Sequence, residues 1–309
     1  VGANARAGPA SKRTDGPGMT DKADTSILLT GASGRVGRML CAFWPDVAPD
    51  LALIPQYRRP GPPGALAWDP LDGPGALITH IAETGRRPAA IVALAGITPG
   101  SGRDLGLNRP LAEATLDAGL RAGVTRVLLA SSSAVYGAGG IPFTEDAPCA
   151  PVNAYGAAKL EMEAACAPWR ARGLDICALR IGNVAGADAL LLNVARTGPG
   201  GAVVIDRFAD GGGPVRSYIG PATLAAVLAT LCRHPGPLPE ALNIAAPDPV
   251  AMTALAQAAG AHIEPRPAPQ GAHQRITLDC RRLAALHRFT PGDSTPAEMV
   301  RQWRAAGVA

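Results

Sequence analysis

The sequence predicts an α/β fold in which helices cover both faces of a doubly wound, mostly parallel sheet. Over the first two-thirds of the chain, short apolar runs alternate with longer helical stretches, the pattern of strand–helix–strand units. Of the 309 residues, 47% are hydrophobic and 17% are charged, which suits one large core with a smaller appendage. Breaks rich in proline and glycine, such as the one at 60–64, separate the segments.

Each element follows from this alternation and from the turns that bound it. Strands are predicted for the short apolar runs at 27–30, 51–57, 65–68, 90–95, 126–131 and 175–181. Helices are predicted for the longer stretches at 35–44, 75–84, 103–122 and 154–172. After Gly186 the segments shorten, with strands predicted at 203–206 and 242–245 and helices at 190–196, 221–233, 252–259 and 295–306.

Three parts of the chain are expected from this organisation. Residues 1–24 are rich in Gly, Ala, Arg and Pro, and we expect a disordered tail or residues added to the natural sequence. Residues 25–186 should form the large sheet domain. Residues 187–309 should form a small α/β lobe that packs on the edge of the sheet and binds substrate.

Composition argues against several classes of protein. The net charge of +4 is spread over single or paired basic residues, and only 4% of residues are aromatic, so no nucleic-acid partner is expected. The six cysteines have neither C-x-x-C nor zinc spacing, so we expect no metal site and reduced thiols in a cytoplasmic protein. No apolar run approaches the roughly 20 residues that span a bilayer, so no membrane partner is expected.

A glycine-rich turn follows the first predicted strand and opens the first predicted helix. Glycines in this spacing allow a tight turn, a close backbone approach to a pyrophosphate and close packing of helix on strand. The free N–H groups of the helix start then attract phosphate. The sequence therefore predicts a Rossmann-type dinucleotide-binding domain at 25–186, whose phosphate loop contains Gly31, Ser33, Gly34, Arg35 and Val36.

The end of the second predicted strand bears on the choice between NAD and NADP. A carboxylate there binds the ribose hydroxyls of NAD, whereas arginine suits the 2′-phosphate of NADP. The chain has no acidic residue at this point, and Arg58, Arg59 and Arg35 could reach such a phosphate, which slightly favours NADP over NAD. Solvated loop arginines remain the alternative. Asp69, after the third strand, is placed to accept from the adenine amino group, or else is an ordinary turn residue.

A tyrosine and a lysine are spaced to share one helix face. Lysine occurs only at Lys12, Lys22 and Lys159, although Lys and Arg together number 29, and Tyr155 lies four residues before Lys159. A compact ammonium beside a phenol favours the phenolate, so we expect Lys159 to lower the pKa of Tyr155. The pair suits proton transfer, and an exposed pair on an ordinary helix is the alternative.

Two further strands end in residues that suit a ligand crevice. Three serines at 131–133 end one strand, where α/β sheets bind their ligands. The preceding strand ends in small residues that let a cofactor lie close over it, namely Leu94, Ala95 and Gly96.

Together these motifs resemble the extended short-chain dehydrogenase/reductases, the branch with NAD(P)-dependent epimerases and dehydratases. The resemblance covers about 27–309 and rests on the turn at 31–37, the strand ends at 93–96 and 131–137, the Tyr155/Lys159 pair and the segment 179–186. It implies that Tyr155 is the acid/base and that Lys159 activates it and binds the nicotinamide ribose. It also implies that Ser132, with Ser133 as the alternative, is the catalytic hydroxyl, and that Asn108 supports the lysine.

The same resemblance implies a sugar or nucleotide-sugar substrate that contacts Ser133, Asn183 and Arg216, and a homodimer. Arg216 matches the family's diphosphate-binding arginine, but Ser217 and Gly220 stand where that segment has acidic and histidine residues. Glu145 matches a loop glutamate of the family. An epimerase or oxidoreductase is therefore expected. A carbonyl reductase of a small, non-nucleotide substrate and a non-catalytic dinucleotide sensor remain open, while a dehydratase is disfavoured because Ser133 and Ala134 replace its carboxylates.

Overall fold

The structure, a computed structural model, describes residues 1–2, 25–198 and 200–308. Apart from its first two residues, the tail predicted at 1–24 lies outside these ranges. The strands are β1 (Ser26–Thr30), β2 (Ala52–Tyr57), β3 (Leu66–Ala67), β4 (Pro88–Ala93), β5 (Arg126–Ser132), β6 (Asp175–Ile181), β7 (Asn183–Val184), β8 (Ala202–Arg207), β9 (Val215–Arg216), β10 (Tyr218–Ile219), β11 (Ala241–Ile244), β12 (Val250–Ala251), β13 (His262–Pro267) and β14 (Arg275–Ile276). The helices are α1 (Arg35–Val47), α2 (Gly75–Thr84), α3 (Asn108–Arg121), α4 (Ala154–Ala164), α5 (Ala167–Arg170), α6 (Ala189–Thr197), α7 (Pro221–Arg233), α8 (Met252–Ala258), α9 (Arg281–Leu286) and α10 (Pro296–Ala305).

The main sheet has seven parallel strands within the described ranges, in the order β11-β6-β5-β4-β1-β2-β3. Its central strands are apolar and buried on both faces, as expected when helices cover both sides. One buried cluster joins the sheet to α1 and α7, and a second joins it to α2, α3 and α4. The predicted Rossmann-type, doubly wound α/β fold is confirmed.

The chain after Gly186 contributes both to small sheets and to the main sheet. In the small sheets, β10 pairs with β7, which lies just before Gly186, β9 pairs with β12 and β14, and β13 pairs with β8. These elements surround a third buried cluster. In addition, β11 joins the main sheet beside β6, and α7 packs against α1. Elements of the stretch predicted as the small lobe thus also complete the large sheet, and the division at residue 186 stays a prediction.

Two predicted helices differ from the observed ones. The helix predicted at 154–172 is interrupted between α4 and α5, where Pro168 near the start of α5 lacks the N–H that a continuous helix needs. The helix predicted at 103–122 begins only at Asn108, after a short 3₁₀ turn at 105–107 that the Asp104 side chain caps by accepting from Gly106 N–H.

The strand β13 was missing from the sequence prediction. Its residues are largely exposed and include Pro265 and Pro267, which argue against a strand in the middle of a sheet. Within the part of the chain that the structure describes, β13 pairs only with β8, so one of its edges is open and proline is tolerated. Among the described residues, no helix is long and apolar enough to cross a membrane.

Candidate active site

The glycine-rich turn is built as its spacing predicts. Gly31 has φ of +72°, and a Cβ atom there would lie 2.7 Å from the backbone nitrogen of Ala95 at the end of the neighbouring strand. A Cβ on Gly37 would overlap the carbonyl oxygen of Gly31. Gly34 closes the turn by donating its N–H to that same carbonyl, at 3.0 Å. The turn therefore requires glycine both for its backbone angle and for its close packing.

The start of α1 is open to an anion. Its N-cap is Gly34, which has no side chain to cap the first N–H groups, and its first turn carries no acidic residue. The exposed side chains of Ser33 and Arg35 flank this helix end. Unpaired N–H groups and the positive end of the helix dipole favour phosphate at such a place. These residues therefore fit a dinucleotide pyrophosphate.

A buried glutamine that the sequence prediction missed holds the turn in place. Gln56, at 2% exposure, accepts a hydrogen bond from Gly31 N–H at 2.9 Å and donates to the carbonyl of Trp68. It thereby ties the first strand to the segment that follows the third. The available signal was a polar side chain inside an otherwise apolar strand.

A hollow at one end of the cleft brings together Ser33, Arg58 and Asp69. Its volume is about 640 Å³, and Arg59 also lines it. Asp69 accepts from Leu71 N–H at 3.1 Å, so its carboxylate also serves as an ordinary turn cap. A smaller cavity of about 150 Å³ shares these three residues and continues past the turn, where it is lined by Leu94, Ala95 and Gly96.

The other end of the cleft is a cavity of about 460 Å³. Its lining includes Ser132, Tyr155, Lys159 and Asn183, together with four residues from the dinucleotide end of the cleft, Arg35, Val36, Leu94 and Gly96. The structure thus brings the predicted catalytic and cofactor residues to one continuous cleft. This cleft runs along the carboxyl ends of the parallel strands.

Lys159 is buried against the end of β5. Its Nζ donates to the carbonyl of Ala130 at 2.8 Å and lies 6.0 Å from the centre of the Tyr155 ring. Burial lowers the pKa of Lys159 to about 8, and the nearby carboxylate of Glu163 opposes this change. The ammonium is therefore held with little solvation.

The pKa of Tyr155 departs from the expectation. Burial raises it above its usual value, and the nearby Ser132 hydroxyl opposes the rise in this pKa. The prediction that Lys159 lowers the pKa of Tyr155 is wrong for this arrangement. The free-energy cost of removing water from the phenolate is larger than the stabilisation that the phenolate gains from the surrounding polar groups. The partner that favours the phenolate is the Ser132 hydroxyl.

Asn108 lies beneath this cavity at 1% exposure. Its side chain accepts from Ile97 N–H and donates to the Ile97 carbonyl, both at 3.0 Å, and also donates to the Leu105 carbonyl. A Cβ on Gly96 would lie 2.8 Å from Asn108 Oδ1 and 3.3 Å from Lys159 Nζ. Asn108 therefore fixes the backbone after β4, on which the lysine packs, and has no direct hydrogen bond to the lysine.

Ser133, Arg216 and Glu145 do not line the cavity. Ser133 begins a short 3₁₀ turn, where its carbonyl accepts from Tyr136 N–H. The Arg216 guanidinium donates to three backbone carbonyls, those of Val215, Gln274 and His273.

The Glu145 carboxylate accepts from Asn243 N–H at 3.0 Å and lies near Arg282, so it joins β11 to the loop after β5. Within the described ranges, no group of three or more His, Cys, Asp or Glu side chains is arranged to hold a metal ion.

Fold and cleft define a Rossmann-type α/β protein with a dinucleotide-binding turn. The sequence matches the model of the NAD dependent epimerase/dehydratase family over residues 27–244, and the chain belongs to this family. It is 34% identical to a UDP-glucose 4-epimerase of Azospirillum brasilense over 183 residues, 55% of this chain and 53% of that protein. Against a UDP-glucose 4-epimerase of Corynebacterium glutamicum it is 29% identical over 170 residues, 52% of each. The chain spans about half the length of these curated relatives.

Solved structures share the fold. The UDP-glucose 4-epimerase of Thermus thermophilus in complex with NAD matches with a TM-score of 0.69 and 22% identity, over 91% of this chain and 99% of that one. The UDP-N-acetylglucosamine 4-epimerase of Bacillus cereus matches with a TM-score of 0.74 and 18% identity, over 92% and 99%.

Proposed function

We propose that this protein is an NAD(P)-dependent epimerase or oxidoreductase that acts by hydride transfer at a carbinol or ketone of a sugar or nucleotide sugar. One observation carries the proposal: Ser132, Tyr155 and Lys159 line one cavity that continues along the glycine turn. A proton-transfer group beside a dinucleotide cleft is the arrangement that carbinol oxidation and carbonyl reduction require.

Each side chain then has a role that its surroundings support. Tyr155 takes the proton of a substrate hydroxyl, or returns it to a forming alkoxide. Ser132, which lines the same cavity as Tyr155, orients the same substrate oxygen. Lys159, whose pKa is about 8, is mostly charged at neutral pH and supplies a positive potential beside the phenol. A bound nicotinamide supplies the hydride acceptor or donor for this chemistry.

The dinucleotide would be held by the open start of α1 and by the glycine turn. Arg58 and Asp69 line the hollow at the far end, and the sequence has no acidic residue at the end of β2 to bind a free ribose hydroxyl. We therefore propose a preference for NADP over NAD through Arg58. This preference can be tested by titrating NADPH and NADH on the same protein preparation and comparing their dissociation constants, of which that for NADPH should be the lower.

A nucleotide-sugar substrate is supported by the surroundings of Arg216. Burial lowers the pKa of this guanidinium, and no carboxylate of the described residues contributes to that pKa. A half-buried cation with only carbonyl partners gains from an anion such as a diphosphate. Asn183 lines the cavity and would contact the sugar side of the same substrate.

The central test is the variant Tyr155→Phe, which removes one hydroxyl. We expect turnover to fall at least about 100-fold, the usual scale of general acid–base catalysis, while dinucleotide affinity changes little. Ser132→Ala and Ser133→Ala form a matched pair, since only Ser132 lines the cavity. Loss of turnover is expected for the first of these variants alone. Unchanged turnover in Tyr155→Phe would reject the proposal.

A carbonyl reductase of a small substrate is the second candidate. It is favoured by the position of Arg216, which does not line the cavity that contains Ser132 and Tyr155. A reductase changes the absorbance of reduced nicotinamide during turnover, whereas an epimerase returns its cofactor unchanged. Mass spectrometry of co-purifying small molecules adds a second criterion, because a tightly retained cofactor indicates an epimerase. The homodimer implied by the resemblance and the cytoplasmic location expected from the cysteines stay predictions.

A further inference from the structure

Three side chains of α4, spaced by four residues, face the end of β5. Tyr155 lines the same cavity as Ser132, the last residue of that strand, and Lys159 donates to the carbonyl of Ala130. One turn further along, the carboxylate of Glu163 accepts a hydrogen bond from the hydroxyl of Ser131. Two neighbouring turns of one helix face are thus hydrogen-bonded to two neighbouring residues of one strand. The reaction proposed above uses Tyr155 and Lys159 and gives no role to Glu163.

Glu163 is a buried charge with a fixed partner. Its side chain is 9% exposed and forms an ion pair with Arg180, whose Nη2 lies 2.9 Å from Oε2 and whose Nε lies 3.2 Å from both oxygens. Arg180 stands on β6, in register with Ser131 of β5. Helix and two strands therefore meet at this one carboxylate.

The partner arginine is itself held on its other side. Arg180 Nη1 donates to the Tyr136 hydroxyl at 2.9 Å and to the Glu145 carbonyl at 3.0 Å, and the Tyr136 hydroxyl donates to Asn243 Oδ1 at 2.8 Å. These contacts hold the pair on both sides of Arg180, at a place where Glu163 and Arg180 also line a hollow of about 500 Å³. The connected hydrogen bonds restrict where the Glu163 carboxylate can lie.

We propose that Glu163 is a positioning residue for the reaction proposed above: its carboxylate fixes the end of β5 on α4 and keeps the neighbouring Lys159 charged. Glu163 is connected to the strand through its hydrogen bond with Ser131. It acts on the ammonium of Lys159 because the two residues lie one helix turn apart on the same face of α4. Loss of the carboxylate would loosen the strand end that carries the proposed catalytic hydroxyl and would favour the neutral amine.

Among the groups around Lys159, Glu163 is the negative charge that stabilises its ammonium form. On α4 its titratable neighbours are Tyr155 and Glu163, and α3 presents the uncharged Asn108. Arg35, at the start of α1, lines the same cavity and is a cation. Burial lowers the pKa of Lys159 to about 8, and Glu163 is the charge that opposes this change. Removal of Glu163 must therefore lower this pKa further.

The sequence makes a direct measurement feasible. It contains three lysines, so protein labelled with ¹³C at the lysine ε-carbon gives three NMR signals, and Lys159→Arg identifies the one from the site. We expect its titration midpoint to fall by about one pH unit in Glu163→Gln, the lower end of the usual effect of a close opposite charge. Glu161→Gln is the matched control, since it removes an exposed carboxylate from the same helix and should leave the midpoint unchanged.

The NMR titration needs no substrate, so its outcome is independent of the proposed activity. An unchanged Lys159 midpoint in folded Glu163→Gln overturns the inference, even if Tyr155→Phe abolishes turnover. A lowered midpoint in a protein without any turnover supports the inference and counts against the proposed function. Where turnover is present, we expect kcat of Glu163→Gln to fall at least tenfold, with less than a twofold change in dinucleotide affinity.

A second variant covers the case in which Glu163→Gln fails to fold, because that change leaves Arg180 as a buried cation without its partner. Glu163→Met combined with Arg180→Met removes both charges, a replacement that folded proteins commonly tolerate. We expect this double variant to melt cooperatively and to lower the Lys159 midpoint by less than Glu163→Gln does, because the loss of the Arg180 cation partly offsets the loss of the carboxylate. A midpoint equal to or above that of the parent protein in the double variant overturns the inference.

Discussion

Replacement of Asn108 by alanine tests how the base of the cavity is held. The side chain makes three hydrogen bonds to the backbone, two to Ile97 and one to Leu105, and it is 1% exposed. In Asn108→Ala the N–H and the carbonyl of Ile97 lose these partners in a buried place. Buried backbone groups without partners are costly, because water cannot replace the lost bonds.

The magnitude follows from the bonds. At about 1 kcal/mol net for each bond, loss of all three costs about 3 kcal/mol of the free energy of unfolding. Thr115→Ala, on the same helix, is the control: its hydroxyl makes one hydrogen bond, to the Leu111 carbonyl at 2.8 Å, and is equally buried. That single loss should cost about 1 kcal/mol.

Urea denaturation followed by circular dichroism compares the two variants with the parent protein. We expect a clearly lower midpoint for Asn108→Ala than for Thr115→Ala, together with weaker NADPH binding, because Gly96 lines the cleft next to Ile97. A midpoint for Asn108→Ala equal to that of Thr115→Ala would refute the assignment of Asn108 as the support of this backbone.

Three further results are expected. Gly186→Ala should destabilise the protein by about 2 kcal/mol more than Gly271→Ala, since both have positive φ but only at Gly186 would the new Cβ overlap Trp303; equal melting temperatures would contradict this. The rate of carbinol oxidation should rise with pH, because burial raises the pKa of Tyr155 and the phenolate forms only at alkaline pH; a rate that falls from neutral to alkaline pH would contradict its role as base. Arg58→Ala should weaken NADPH binding about tenfold with little effect on NADH binding. An equal loss of affinity for both dinucleotides would contradict the proposed contact between Arg58 and the 2′-phosphate.

The cleft could be predicted where local sequence determines local structure. The glycine turn at 31–37 depends on backbone angles and close packing that glycine alone provides, so its pattern is visible in the sequence. The Tyr155/Lys159 spacing likewise fixes a shared helix face. Strand ends are also predictable, because the carboxyl ends of parallel strands lie at one edge of the sheet.

Features that depend on burial and on distant partners could not be predicted. The pKa of Tyr155 reflects how much water the folded cavity excludes, which no spacing reveals. Gln56 matters because Gly31 and Trp68 converge on it in space. Two of the three carbonyl partners of Arg216, those of Gln274 and His273, lie nearly sixty positions later in the sequence, so its motif gives no sign of them.

The position of β11 has a consequence for how the chain reaches its native state. This strand completes the main sheet beside β6, although everything from β7 to α7 lies between the two in the chain. Until β11 emerges from the ribosome, β6 presents an unpaired edge that invites pairing with other chains. A fragment cut after Gly186 should therefore aggregate when expressed alone. We therefore expect the sheet that carries the glycine turn to be complete only once the chain has been made through β11.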